Sequence, residues 1–247
     1  MNTSFQSSKL HTEELRHTWH LALLVLAGVF GGAVLLGFLV QRNSWIQVFD
    51  NAGYEAILNM PHPAWLNVLV SPFNYNFLPM GGAFEPSFLV VSGLAFIVWL
   101  AIKQRKDLPW AILALVLGFI YVGFLFAFTS HVIFRARPFT LLPNHLDSFA
   151  KSAWTNWTSY PSGHTRDTAL LGTIIASFVP KVRWIALVIA VFVAWSRVYV
   201  GAHYPTDVLA GLLIGYCSGL GILFAINELK VLVSLFRAEW RARNQKM

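Results

Sequence analysis

Six apolar runs divide the 247-residue chain, at 20–40, 86–102, 110–128, 163–179, 184–200 and 206–226. Each approaches the roughly 20 residues that a helix needs to cross a hydrocarbon core about 30 Å thick. Several end at charge or proline: Arg42 follows the first, Lys103, Arg105 and Lys106 the second, Pro180 and Lys181 the fourth. Backbone polar groups in lipid must be satisfied within the segment, so runs of this length predict an all-α fold, a six-transmembrane helix bundle over 20–226. Only 12% of the residues are charged and 56% are hydrophobic, against about 25% charged in soluble domains, which excludes an ordinary soluble enzyme. The first run is too long and too glycine-interrupted for a signal-peptide core, and it is expected to remain as an anchor. A single cysteine, Cys217, rules out an internal disulfide framework and any multi-cysteine metal site.

Between the first two runs, the stretch 44–84 carries Trp45, Ile46, Phe49, Tyr54, Ile57, Leu58, Trp65 and Leu69 at near-helical intervals, and predicts interfacial helices between the first and second spans. The segment 135–161 is polar and rich in Pro, Asn and Trp, which predicts irregular structure capping the bundle. The formal charge of +7, in a chain this apolar, points to lipid rather than nucleic acid as the partner. With the N-terminus in the cytoplasm, twelve of the eighteen Lys and Arg lie inside, leaving Arg42, Arg135, Arg137, Lys151, Arg166 and Arg197 on the other face. The expected organisation is a cytoplasmic segment 1–19, the six-span domain 20–226, and a basic cytoplasmic helix 227–247 lying against an anionic leaflet.

The external polar residues gather in three clusters at span ends: Arg135-Ala136-Arg137-Pro138, Tyr160 to Asp167, and Ser196-Arg197 with His203 and Asp207 beyond. The charge-derived topology puts all three on one membrane face, and ionisable residues at a membrane edge mark function by default. Pro161-Ser162-Gly163 ahead of a helix is a start signal with Ser162 as N-cap, and the N–H groups of such a helix end attract an anion. His164 in the first turn is placed for proton transfer. His203 and Asp207, four apart, share a face if both are helical, so the carboxylate could hold one imidazole nitrogen while the other faces a substrate. The same pair also fits a satisfied polar contact or two ligands of a metal site, though further ligands are scattered. Arg137 and Arg197 offer planar forks suited to phosphate oxygens. These residues together read as an externally facing phosphate site with a histidine nucleophile.

At these positions the chain resembles the type-2 phosphatidic-acid phosphatase superfamily. The family's second motif, Pro-Ser-Gly-His, is matched by Pro161, Ser162, Gly163 and His164, and its third, Ser-Arg-x5-His-x3-Asp, by Ser196, Arg197, His203 and Asp207. Of the first motif, Lys-x6-Arg-Pro, Arg137-Pro138 is present but Ser130 stands where the family has lysine. The resemblance implies that His203 attacks phosphorus, Asp207 orients it, His164 serves as acid and then base, and Arg137, Arg197, Ser162 and the Gly163 backbone hold the phosphate. Arg135, Arg166 or Lys151 would then replace the missing lysine as an additional cation. It further implies hydrolysis of a lipid phosphate or diphosphate at the outer, periplasmic face of a bacterial inner membrane, with no metal and no other cofactor. A phosphotransferase using another acceptor and a weakly active lipid-phosphate binding protein are the alternatives.

Overall fold

The computed structural model describes residues 3–73, 87–141 and 158–245. Residues 74–84 of the expected interfacial stretch, most of the 135–161 segment and Lys151 lie outside them. The elements in chain order are α1 (Thr3–Arg42), α2 (Ser44–Leu58), α3 (Ala64–Val70) with a 3₁₀ turn at Ser71–Phe73, α4 (Ser87–Ile102), α5 (Leu108–Val132), the single turn α6 (Pro138–Leu141), α7 (Gly163–Phe178), a 3₁₀ turn at Pro180–Val182, α8 (Arg183–Tyr199) and α9 (Pro205–Asn244). No strand occurs among the described residues.

Among the described residues, four helical segments are long and apolar enough to cross a bilayer: His20–Arg42, Leu108–Val132, Pro180–Tyr199 and Pro205–Asn244. These correspond to the first, third, fifth and sixth of the six expected spans. The other two runs contain α4, described from Ser87 onward, and α7, whose 16 residues are about 24 Å long at 1.5 Å per residue and short of a 30 Å core. For α7 the reason lies in its first turns, where Thr165, Arg166, Asp167 and Thr168 are polar yet buried. It is the central helix, packed against α4, α5, α8 and α9, and a helix enclosed by protein need not match the thickness of the lipid.

At the other end of the chain, α9 runs on past residue 226 to Asn244 without a break. No Gly or Pro follows Gly221 within it, so the basic segment 227–244 continues the last span as one rod instead of forming a separate helix.

Glycine decides how closely the two central helices approach. Gly211, Gly215 and Gly219 recur every four residues along one stripe of α9. A Cβ at Gly211 would stand 2.8 Å from the Ser162 carbonyl oxygen, one at Gly215 would overlap the Arg166 carbonyl, and one at Gly219 would lie 2.9 Å from Thr173 Cβ. Small residues in this register let backbones of membrane helices meet. Here the contact brings the N-terminus of α7 beside that of α9. Tyr160 anchors the incoming chain by donating from its hydroxyl to Ala33 O at 2.7 Å, and α1 is held lower down by the Tyr121 hydroxyl on Leu26 O at 2.5 Å.

The helix α2 is amphipathic as expected, with Trp45 82% exposed and Val48 and Phe49 also outward. Its other face is not turned to water. Asp50 and Tyr54 are fully buried, and Gly53 lies so close to Pro205 that a Cβ would come within 2.8 Å of its ring. Docked in this way, α2 lies against the turn that starts α9.

Candidate active site

The three polar clusters converge where α7, α8 and α9 meet. Arg197, 1% exposed, sits near the end of α8, and its carbonyl accepts the N–H of Ala202 at 3.1 Å and of His203 at 3.2 Å. That fold-back needs a left-handed residue, supplied by Gly201 at φ 77°. The five-residue gap between Arg197 and His203 is therefore one compact turn, and it places the imidazole beside the guanidinium from which the turn departs.

The tautomer of His203 follows from its two neighbours. Its Nδ1 lies 2.8 Å from the Ser159 carbonyl oxygen, which only accepts, so Nδ1 carries the proton. Its Nε2 lies 3.1 Å from Arg137 Nη1, which only donates, so Nε2 presents a lone pair. Arg137 Nη1 also donates to Ala202 O at 3.1 Å. Burial, followed by the charges of Arg137 and Arg197 and by His164, holds His203 well below its usual pKa, against a smaller opposing effect of the Ser159 hydrogen bond. The ring is neutral at physiological pH. Burial lowers Arg137 to about 10, opposed by Asp207, and leaves it charged there.

Asp207 does not hold His203 directly. The closest approach is 3.9 Å, because His203 lies in the turn and only Pro205 begins the helix; the four-residue spacing is not a helical one. Instead Asp207 Oδ2 accepts the Tyr204 N–H at 3.0 Å and the Ser159 hydroxyl at 2.5 Å. Ser159 thus joins the carboxylate to the imidazole. Asp207 Oδ1 accepts Arg135 Nη1 at 2.5 Å, and Arg135 Nη2 in turn donates to Asp50 Oδ2 and, at 3.3 Å, to Gln47 Oε1.

Ser162 occupies the N-cap of α7, but its hydroxyl pairs with Thr165 Oγ1 at 3.0 Å and makes no side-chain cap. Its N–H donates to Asp207 O at 3.1 Å, which ties the two helix starts together. The first-turn N–H groups at Gly163 and His164 open onto the same corner, where a helix end attracts an anion. His164 Nε2 is buried without a hydrogen-bond partner.

Of the three candidates for the additional cation, the two that lie among the described residues make ion pairs with carboxylates. Arg135 is shared between Asp50 and Asp207, and Arg166 forms a two-point pair with Asp167 at 2.6 and 2.9 Å. Arg166 is also two positions, about 200°, around α7 from His164, stacked over Phe126 of α5 at 5.1 Å. Ser130 turns its hydroxyl back to Ala127 O at 2.9 Å. Arg137 and Arg197 lie close enough for their charges to act on both histidines, and Arg166 also acts on His164. Among the described residues no group of three or more His, Cys, Asp or Glu is gathered as a metal-holding set.

Four residues here were not singled out from the sequence: Gln47, Asp50, Ser159 and Thr206. The signal for the first two existed, since Gln47, Asp50, Asn51 and Tyr54 follow helical i, i+3, i+4, i+7 spacing. A polar stripe facing a buried arginine has the same sequence pattern as one facing water.

Known proteins resemble this chain in sequence and in fold. The model of the PAP2 superfamily matches residues 109–230. The bacitracin transport permease protein BcrC of Bacillus licheniformis is 32% identical over 136 residues, 55% of this chain and 65% of that one. The undecaprenyl-diphosphatase of Sulfolobus acidocaldarius is 37% identical over 105 residues, 42% of this chain and 49% of that one. In both the match spans less than two thirds of the relative. The crystal structure of the transmembrane PAP2-type phosphatidylglycerolphosphate phosphatase of Bacillus subtilis superposes with a TM-score of 0.59 at 25% identity, covering 80% of this chain and 93% of that one. With the motif residues at 161–164 and 196–207 inside the matched region, residues 109–230 of this integral membrane chain belong to the PAP2 superfamily.

Proposed function

We propose that the protein hydrolyses a membrane lipid phosphate or diphosphate through a phosphohistidine on His203. The observation that carries this reading is the fixed tautomer: Nδ1–H bound to the Ser159 carbonyl and the Nε2 lone pair held at 3.1 Å from Arg137. A nucleophile needs an available, aimed lone pair; a neutral ring with its proton on the far nitrogen supplies one, and the incoming phosphate oxygens take over the Arg137 hydrogen bond that Nε2 accepts before substrate binds. Nε2 attacks phosphorus, the bond to the lipid oxygen breaks, and His164 gives that oxygen its proton. For a diphosphate the leaving group is the lipid monophosphate. His164 then takes a proton from water, the hydroxide attacks phosphorus, and inorganic phosphate leaves as the histidine is released. Arg137, Arg197, Ser162 and the Gly163 N–H surround the developing charge on the equatorial oxygens. Asp207 stabilises the cationic imidazole through Ser159.

A lipid substrate is supported by the position of the site at one end of long apolar helices, and by the relatives' names, which refer to an undecaprenyl diphosphate and a phosphatidylglycerol phosphate. The charge bias of the loops supports an outward-facing site. The reading is tested by incubating the purified protein with a panel of ³²P-labelled lipid phosphates and quenching in alkali. Acid-labile, alkali-stable label on the wild type, its absence in His203→Ala, and release of label as inorganic phosphate are the expected results. Label in a second lipid would make the protein a phosphotransferase. Turnover by His203→Ala at the wild-type rate would refute the nucleophile.

A further inference from the structure

We infer that Asp50, on the amphipathic helix α2, is a positioning residue for the nucleophile turn, acting through Arg135, Asp207 and Ser159 on the His203 ring. Asp50 is fully buried. Its Oδ1 accepts the Thr206 N–H at 2.8 Å, its Oδ2 accepts the Thr206 hydroxyl at 2.5 Å, and Oδ2 also takes Arg135 Nη2. Arg135 spans the two carboxylates, stacks over the Tyr204 ring at 4.3 Å and donates to Thr206 Oγ1 at 3.0 Å. Every partner of Asp50 lies within four residues of His203 or bonds directly to Asp207.

Docking α2 does not by itself call for these charges. Gly53 against Pro205 and Tyr54 near Tyr204, ring centroids 6.2 Å apart, already seat the helix by shape, and a buried ion pair is weak evidence for stability. The three charges sum to −1, and the chain of bonds ends on the ring that becomes cationic when phosphorylated. His203 is faced by Arg137 from residues 133–137, Arg197 from α8, His164 from α7 and Asp207 from α9. The Asp50–Arg135–Asp207 set is the negative counterweight to those arginines. With Asp50 present, Arg135 is divided between two carboxylates; without it, Arg135 turns its whole charge on Asp207 and weakens the pull of Asp207 on Ser159 and the imidazole.

This inference rests on the phosphohistidine reading, and the experiment separates the two. Asp50→Asn keeps an acceptor for Thr206 but removes the charge. It is expected to lower kcat roughly tenfold or more with KM within about twofold, the pattern of a contact that matters in the transition state. It is also expected to move the acidic limb of kcat/KM to lower pH, since a nearby carboxylate that favoured the protonated ring is gone. Thr206→Val, close in volume and uncharged, is expected to lower kcat by a smaller factor of about three, and serves if Asp50→Asn does not fold. A monodisperse Asp50→Asn protein with wild-type kcat and an unmoved acidic limb, or a loss confined to KM, would overturn the role of Asp50, as would an unchanged kcat in Thr206→Val. In those cases wild-type phosphoenzyme is still formed. Absence of phosphoenzyme in the wild type would instead refute the underlying mechanism.

Discussion

At the scale of single residues, His203 makes a prediction whose sign follows from its surroundings. Its pKa is held below the ordinary value near 6.5 by burial and by Arg137 and Arg197. The kcat/KM profile, which reports the free enzyme, is therefore expected to stay level as pH falls through 6.5 and to drop only below it. Stability moves in the same direction. The unfolded histidine takes up a proton that the buried ring refuses, so stability falls as pH drops below about 6.5, by up to about 1.4 kcal/mol per pH unit for this group. Denaturation in detergent between pH 5 and 8 measures it; a midpoint rising as pH falls would contradict it. Ser130 supplies a second prediction. Arg135 and Arg166 are both paired with carboxylates, which supports a reading in which neither replaces the lysine of the superfamily motif. Ser130→Lys is then expected to raise turnover by between about tenfold and the 10²–10³ associated with one preorganised donor. Unchanged turnover would point to a cation beyond the described residues.

At the scale of elements, the contact between α7 and α9 sets the site. The glycine stripe at 211, 215 and 219 allows the start of α7 to lie against the first turns of α9, so that Ser162 N–H reaches Asp207 O. Adding one methyl at Gly215 would collide with the Arg166 backbone carbonyl, which has no rotamer by which to move aside. Gly215→Ala is expected to destabilise the protein by about 1–3 kcal/mol and to reduce kcat, since the helices separate at the level of the site. Gly123→Ala, where a Cβ meets nothing within 4 Å, is expected to leave both near wild type. Thermal unfolding and turnover of the two variants provide the comparison; equal behaviour would remove the packing argument.

At the scale of the whole molecule, α5, α7 and α9 run between the site and the opposite end of the bundle, where Arg105, Asp107, Ser177, Asn227 and Lys230 line a polar cavity of about 410 Å³. Along α9 the separation from Asp207 to Lys230 is 23 residues, about 34 Å, close to a bilayer core. The two ends are therefore expected at opposite membrane surfaces. Single cysteines at Met60, near the site, and at Lys106, near the cavity, in a Cys217→Ser background, are expected to react with an impermeant maleimide from opposite sides of sealed vesicles. Reaction from one side would break the topology on which the outward-facing site rests.

The local part of this organisation was legible in the chain itself. Apolar runs closed by charge fix helices because the hydrophobic pattern and the end signals are both written within about 20 residues. The proposed phosphate-site residues Arg137, Ser162, His164, Arg197 and His203 are recognisable for a similar reason, since each lies in a short pattern with fixed spacing. What joins them was decided elsewhere. Arg135 reaches Asp50 across 85 positions and Asp207 across 72, and His203 finds the Ser159 carbonyl across 44. The direct His203–Asp207 pairing expected from the spacing fails because the helix starts between them, at Pro205. Likewise the polar stripe of α2 gives no sign in sequence of whether water or a buried guanidinium faces it. Sequence specifies which groups are costly to bury; only the tertiary structure determines which distant group makes their burial possible.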